Sequence, residues 1–286
     1  MSFLVRGLIG LALASATPVH AEPAATPIQL GSSYQLRSKD LREYRTVNVI
    51  LPGDYDKKKD ARYPVLYLID GGVSQDLIHV AGTVQLGAAW GRSSDPIIVG
   101  IETKDRRHEL VGPTADPELR KKYPTAGSSA AFRAFIAKDV KPFVERSFRT
   151  DGNEAVIGES LAGLFILETY LAQPSLFDAY GAISPSLWWD KEALSRTAAK
   201  RIGAAQAAHP LYIAAANEGA DMQTGIDRFL AALPRTGTRR CYNHRTDLSH
   251  STIYQQLTPQ ALQFLLPPAT PPPAEYGFEV QCSPKS

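Results

Sequence analysis

The hexapeptide Gly158-Glu159-Ser160-Leu161-Ala162-Gly163 sets one hydroxyl among small residues, directly after the strand-like Ala155-Val156-Ile157 and before a helical run. A strand–turn–helix of this kind holds a serine in a strained turn so that its hydroxyl projects, and small neighbours let strand and helix approach closely. The same residues also make an ordinary helix start in which the serine only caps. A base decides between the readings, because a serine hydroxyl is a weak nucleophile until something takes its proton.

Of the six histidines, His20 lies in the N-terminal apolar segment, His79 and His108 precede the serine, and His209 and His244 fall at or within predicted strands. His250, in Asp247-Leu248-Ser249-His250-Ser251-Thr252, lies just past the last predicted strand and completes the chain order serine, acid, histidine. The acid is expected in the loop Ala216-Asn217-Glu218-Gly219-Ala220-Asp221. Either carboxylate could hold the second imidazole nitrogen. Glu218 is favoured because it is nearer the strand end, which leaves Asp221 to cap the following helix. Acyl transfer also needs backbone donors for an oxyanion. The Leu161 N–H is one candidate, and the Gly72 N–H in Asp70-Gly71-Gly72-Val73 is the other, with a plain Asp-Gly turn as the alternative for that loop.

Positioning these residues requires a scaffold of alternating strands and helices. Short Val/Ile/Tyr-rich runs predict strands at Tyr44–Leu51, Val65–Ile69, Ile97–Ile101, Ala155–Ile157, Tyr180–Ile183, Leu211–Ala215 and Arg240–Arg245, the first as antiparallel edge structure. Helical spacing predicts helices at Ser128–Phe148, Leu161–Leu171, Lys191–Ala207, Gln223–Leu233 and Ser251–Leu265. The alternation implies a largely parallel sheet covered by helices. Residues Asp105–Thr125 show no clean period and read as a long loop of the functional kind.

The chain of 286 residues is 44% hydrophobic and 21% charged, ordinary for one large domain. Its 31 basic and 29 acidic residues leave a net charge of +2, which argues against nucleic acid or an anionic membrane as the main partner and for a small molecule. Arg6, the apolar Gly7–Ala14 and the small-residue site Val19-His20-Ala21 read as a secretory signal over residues 1–21. A linker over 22–32, a domain over 33–266 and a Pro-rich tail over 267–286 follow. No later apolar run approaches the length of a membrane span. The expected location is periplasmic or secreted. There the two cysteines, Cys241 and Cys282, are expected to form a disulfide that staples an otherwise solvated tail, with free thiols as the alternative. No His/Cys spacing suggests a metal site.

Taken in order, these residues resemble the esterase D-like branch of the α/β-hydrolases, which includes enterochelin-type siderophore esterases and, more distantly, mycolyltransferases. The resemblance runs through Tyr63–Gly72, Val99–Leu110, Gly158–Leu164, Ile183-Ser184-Pro185-Ser186-Leu187-Trp188-Trp189-Asp190 and Ser249-His250-Ser251, about two thirds of the chain. It implies the α/β-hydrolase fold, with a mostly parallel central sheet flanked by helices on both faces. It also implies Ser160 and His250 as the catalytic pair, Glu218 as the acid, Gly72 and Leu161 as oxyanion donors, and no cofactor or metal. Glu159 stands where the family often has His. Arg106 and Arg107 could clamp an anionic substrate oxygen, or pair with Asp105 or Glu109. Trp188, with Trp189, could wall the acyl pocket or pack beneath it. The expected activity is hydrolysis of a small ester, with siderophore-type lactones among the candidates, through an acyl-enzyme. An acyltransferase would use the same residues, and a noncatalytic binding protein with this fold would be marked by loss of Ser160 or His250.

Overall fold

Strands rich in β-branched and aromatic residues assemble into one eight-stranded sheet in the computed structural model, which describes residues 24–234 and 239–283. The expected signal segment, 1–21, lies outside the described residues. Residues 24–30 have no regular secondary structure, and β1 opens at Ser32, inside the segment read as linker.

The strands are β1 (Ser32–Ser38), β2 (Glu43–Ile50), β3 (Tyr63–Ile69), β4 (Ile97–Ile101), β5 (Thr150–Glu159), β6 (Ala179–Ile183), β7 (Leu211–Ala215) and β8 (Arg240–His244), in the order β1-β2-β4-β3-β5-β6-β7-β8. β1 pairs antiparallel with β2, and β2 antiparallel with β4. All other neighbours are parallel. β2 is therefore antiparallel as expected but is not the edge, a place taken by the polar β1.

The helices are α1 (Leu77–Ala89), α2 (Arg106–Glu109), α3 (Pro117–Lys122), α4 (Ser129–Phe135), α5 (Lys141–Ser147), α6 (Leu161–Ala172), α7 (Trp189–Arg201), α8 (Ala204–Ala207), α9 (Ala220–Ala232) and α10 (Ile253–Leu265). The pleat divides the central strands between two cores: Val65, Tyr67 and Ile69 face one, Leu66 and Leu68 the other. The first core is closed by α4, α5, α6 and α9, and the second by α1 and α10. With helices on both faces, β3, β4, β6 and β7 are buried on both sides, which accounts for their unbroken apolar character.

Several boundaries differ from the sequence reading. The run expected as one helix over 128–148 contains a π turn, Ile136–Val140, just before Pro142, whose missing N–H cannot bond back into the preceding turn. The expected Lys191–Ala207 helix is split at Ile202-Gly203 and begins with three left-handed residues, Asp190, Lys191 and Glu192. The loop 105–125 holds α2 and α3, each started by an aspartate side chain, Asp105 and Asp116, that accepts backbone N–H groups.

Cys241 and Cys282 form the expected disulfide, with Cα atoms 5.1 Å apart. The tail is held at more points than this one. Tyr276 packs on Trp90, the Arg92 guanidinium lies over Phe278, and Gln263 Nε2 donates to the Phe278 carbonyl at 2.6 Å. Ser283 N–H donates to the Tyr242 carbonyl at 2.6 Å, and His244 N–H to Ser283 Oγ at 3.0 Å, so the tail lines the outer side of β8. The bridge closes a sequence separation of 41 residues. Replacing both cysteines by serine is expected to lower the unfolding free energy by about 4 kcal/mol, measured by urea denaturation.

Candidate active site

The C-terminal ends of β3 through β8 converge on one rim, where open α/β sheets bind their ligands. At the end of β5, Ser160 has φ 60° and ψ −116°, a conformation that a serine tolerates only under constraint. The turn closes because its neighbours are small: a Cβ on Gly158 would stand 2.7 Å from the Ala162 Cβ. Ala162, in the place where a second glycine is common, is accommodated for that reason.

His250 lies on the turn after β8, and Glu218 on the loop after β7. The two loops are stitched together by Asn217 N–H to Leu248 O at 3.0 Å and Arg245 N–H to Ala215 O at 2.8 Å. His250 Nε2 is 3.0 Å from Ser160 Oγ, and His250 Nδ1 is 2.9 Å from Glu218 Oε2. The imidazole is 46% exposed, whereas the carboxylate is only 2% exposed. Burial pushes the Glu218 carboxyl up, but hydrogen bonds from His250 and Ser184 outweigh it and hold the group below its usual range. The same bond to Glu218 lifts His250 above its ordinary value, against the opposing effect of burial.

Asp221 does not reach the histidine. It is exposed in the first turn of α9, where Gly219 rather than Asp221 occupies the N-cap position.

Leu161 supplies the first amide of α6, one of those that a helix leaves without an intrahelical partner. The Gly72 N–H instead donates to Gln75 Oε1 at 2.9 Å, and Gln75 Nε2 is anchored on the Thr103 carbonyl at 2.9 Å. The loop that carries Gly72 is tightly seated. A Cβ on Gly71 would fall 2.2 Å from the Gly100 Cα, and Asn48 Nδ2 donates to the Gly71 carbonyl at 2.9 Å.

Neither arginine pairs with Asp105 or Glu109. Arg106 Nε donates to Asp70 at 2.8 Å, on a buried carboxylate that also accepts from Thr103 Oγ1, and its guanidinium remains 42% exposed. Arg107 lies over the Tyr123 ring at 4.3 Å, and that ring packs against Trp189 at 5.9 Å. Trp188 is half-buried beside Trp189, and Trp189 is buried. Glu109 takes a different partner. It receives both terminal nitrogens of the fully buried Arg45, at 2.7 and 2.6 Å, as well as the Lys104 N–H at 3.1 Å. This ion pair fixes α2, and hence Arg106 and Arg107, to β2. Glu109→Ala removes the buried partner of this guanidinium and leaves it only the partly exposed Glu43, at 2.6 Å, and the Glu102 carbonyl, at 2.8 Å; the variant is expected to lose about 3 kcal/mol in denaturant unfolding.

The rim also gathers two acids to which the sequence reading gave no chemical role, Glu159 and Asp76. Burial pushes Glu159 up to about 7, although His250 nearby opposes it, and burial with the neighbouring Asp70 pushes Asp76 up to about 6. Among the described residues no group of three or more His, Cys, Asp or Glu side chains is arranged to hold a metal ion. No helix among them is long and apolar enough to cross a membrane.

A strained serine at a strand–helix turn, backed by a largely parallel sheet with helices on both faces, defines an α/β-hydrolase. Solved structures share the fold. The IroE-like serine hydrolase from Shewanella oneidensis superposes with a TM-score of 0.70 at 24% identity over 82% of this chain and 79% of that one. The siderophore hydrolase EstB from Aspergillus nidulans does so with a TM-score of 0.71 at 21% identity over 88% of this chain and all (100%) of that one. Residues 38–228 match the Esterase family, described as "Putative esterase", and the chain belongs to that family. A curated relative, the ferri-bacillibactin esterase BesA of Bacillus subtilis, is 28% identical over 253 residues, covering 80% of this chain and 88% of that protein. The protein is a carboxylic ester hydrolase.

Proposed function

We propose that this esterase is exported and cleaves siderophore esters through an acyl-enzyme on Ser160. The observation that carries the proposal is the continuous hydrogen-bonded chain from Ser160 Oγ through His250 to Glu218. Ser160 Oγ attacks the ester carbonyl as its proton passes to His250 Nε2, Glu218 holds the resulting imidazolium, and His250 then gives the proton to the departing alkoxide. Water, activated by the same nitrogen, releases the acid. The Leu161 and Gly72 N–H groups face the developing oxyanion, Gly72 once Gln75 Oε1 gives up its hydrogen bond.

Substrate class is supported by the relatives' named activities, on ferri-bacillibactin, enterobactin and triacetylfusarinine C. The exposed guanidinium of Arg106 suits an anionic substrate oxygen, and Arg107, stacked on Tyr123, and the half-buried Trp188 are the further candidates to meet the substrate. Export is supported by the leader-like residues 1–21 and by the disulfide. The test incubates the disulfide-bonded protein with enterobactin and triacetylfusarinine C, each with and without ferric iron, beside p-nitrophenyl esters. Mass spectrometry is expected to show hydrolysed siderophore. Turnover of p-nitrophenyl esters alone would remove siderophores as the substrate.

A further inference from the structure

Two serines without a part in that scheme lie on one short turn after β6. Both are buried, Ser186 being 2% exposed. Ser184 Oγ donates to Glu218 Oε1, and Ser186 Oγ stands 3.2 Å from Ser160 Oγ. One turn, Ser184-Pro185-Ser186, therefore touches both ends of the relay.

The main chain locks this turn to the nucleophile. Ser160 N–H donates to the Ile183 carbonyl at 2.9 Å, Ser186 N–H to the Ser160 carbonyl at 3.0 Å, and Ser184 N–H to the Ala214 carbonyl at 2.8 Å. Pro185 is seated on α6 where Gly163 has no side chain; a Cβ there would lie 3.1 Å from the Pro185 Cα.

Hydrogen accounting assigns the direction of the serine pair. In the neutral relay His250 gives its Nδ1 hydrogen to Glu218, so Nε2 carries a lone pair and accepts the one hydroxyl hydrogen of Ser160. The Ser160–Ser186 bond then has to use the hydrogen of Ser186 and a lone pair of Ser160. When His250 is protonated, Nε2 becomes a donor and Ser160 is free to turn its hydrogen towards Ser186.

We propose that Ser186 is a positioning residue for the nucleophile, and the inference rests on the Ser160–His250–Glu218 reading. Its donated hydrogen bond keeps the Ser160 hydroxyl aimed at Nε2. The same bond stabilises negative charge on Oγ twice. It does so as the Ser160 proton leaves for Nε2 and the new C–Oγ bond forms, and again as that bond breaks in deacylation, when the electron pair returns to Oγ and Nε2 returns the proton. Ser184 is its counterpart at the other end. With the Ala216 N–H, at 3.2 Å, it occupies Glu218 Oε1 and leaves Oε2 for His250.

The test compares wild type, Ser186→Ala, Ser186→Cys and Ser160→Ala for p-nitrophenyl acetate turnover and for the rate of fluorophosphonate labelling, which reports on the nucleophile alone. Loss of a hydrogen bond to a charged oxygen is expected to lower kcat and the labelling rate by about 10- to 100-fold in Ser186→Ala, with KM within about twofold of wild type. Ser186→Cys keeps the shape but offers only a weak S–H donor, so it is expected to fall with Ala; it also carries the test if Ala disturbs folding. Turnover and labelling of Ser186→Cys within about twofold of wild type would assign the site to packing and overturn the proposal. If Ser160→Ala is unlabelled while the Ser186 variants match wild type, only this inference fails. Labelling that survives in Ser160→Ala would instead remove the reading beneath it.

Discussion

Ser160→Ala is expected to lower kcat by about 10⁶-fold, the scale on which a nucleophile that acts as part of a relay fails when removed. The loss follows from the geometry, since the histidine then has no proton to accept and the acyl group no oxygen to join. Stability should change little, because Ser160 side-chain contacts are with His250 and Ser186 alone among the described hydrogen bonds. Replacing a residue at φ 60° by alanine leaves the backbone constraint as it was. Intact-mass analysis after fluorophosphonate treatment should show a single adduct on wild type and none on the variant. An adduct on a folded Ser160→Ala would move the nucleophile to another residue.

Glu218→Gln is the second large effect, about 10³- to 10⁴-fold in kcat. A glutamine can offer an N–H to His250 Nδ1, which moves the imidazole hydrogen to Nε2 and leaves nothing to accept the Ser160 proton. The variant also has a pH signature. Glu218 lifts His250 above its ordinary 6.5, and only neutral His250 can act as base. Wild-type kcat/KM should therefore rise with pH through an inflection above 6.5. In Glu218→Gln the inflection should move to lower pH, because the partner that favours the charged ring is gone. Profiles of kcat/KM over roughly pH 5 to 9 decide it; an unmoved inflection would assign the limb to another group, with Glu159 the nearest candidate.

The candidate site was legible where chemistry constrains sequence. Ser160 announces itself because its turn excludes bulky neighbours, and His250 and Glu218 because strand ends are where the sheet delivers side chains to the rim. Glu218 was separable from Asp221 by its distance from β7, and it is Glu218 that bonds to His250. The supporting residues had no such signal. Gln75, Asp70, Ser184 and Ser186 are common polar residues whose partners are 26 to 36 positions away or fixed by a turn, so nothing in their own neighbourhood marks them.

The fold follows the same division. Buried parallel strands such as Ile97–Ile101 were read to the residue, since continuous apolar runs leave little choice. Helix α1 escaped notice. Leu77–Ala89 has no side-chain cap and no acid in its first turn, it carries Gly82 and Gly87, and it buries only Leu77, Val80 and Val84. Strand β1, Ser32–Ser38, is polar on its outward face and takes its place only by pairing with β2. Helices α2 and α3 span four and six residues, too few for a period to show.

The two margins of the sheet are protected by different means. At β1 the outermost strand carries serines, Gln35 and Arg37, side chains that disfavour pairing with another chain. At β8 the protection is covalent, because the segment over Tyr242 and His244 is kept there by the Cys241–Cys282 bond. Without that bond the cover over β8 rests on non-covalent contacts, the Ser283 hydrogen bonds and the Tyr276 and Phe278 ring contacts among them. A thiol-reducing medium is therefore expected to loosen this margin of the sheet first and leave the opposite one, guarded by its own side chains, as it was.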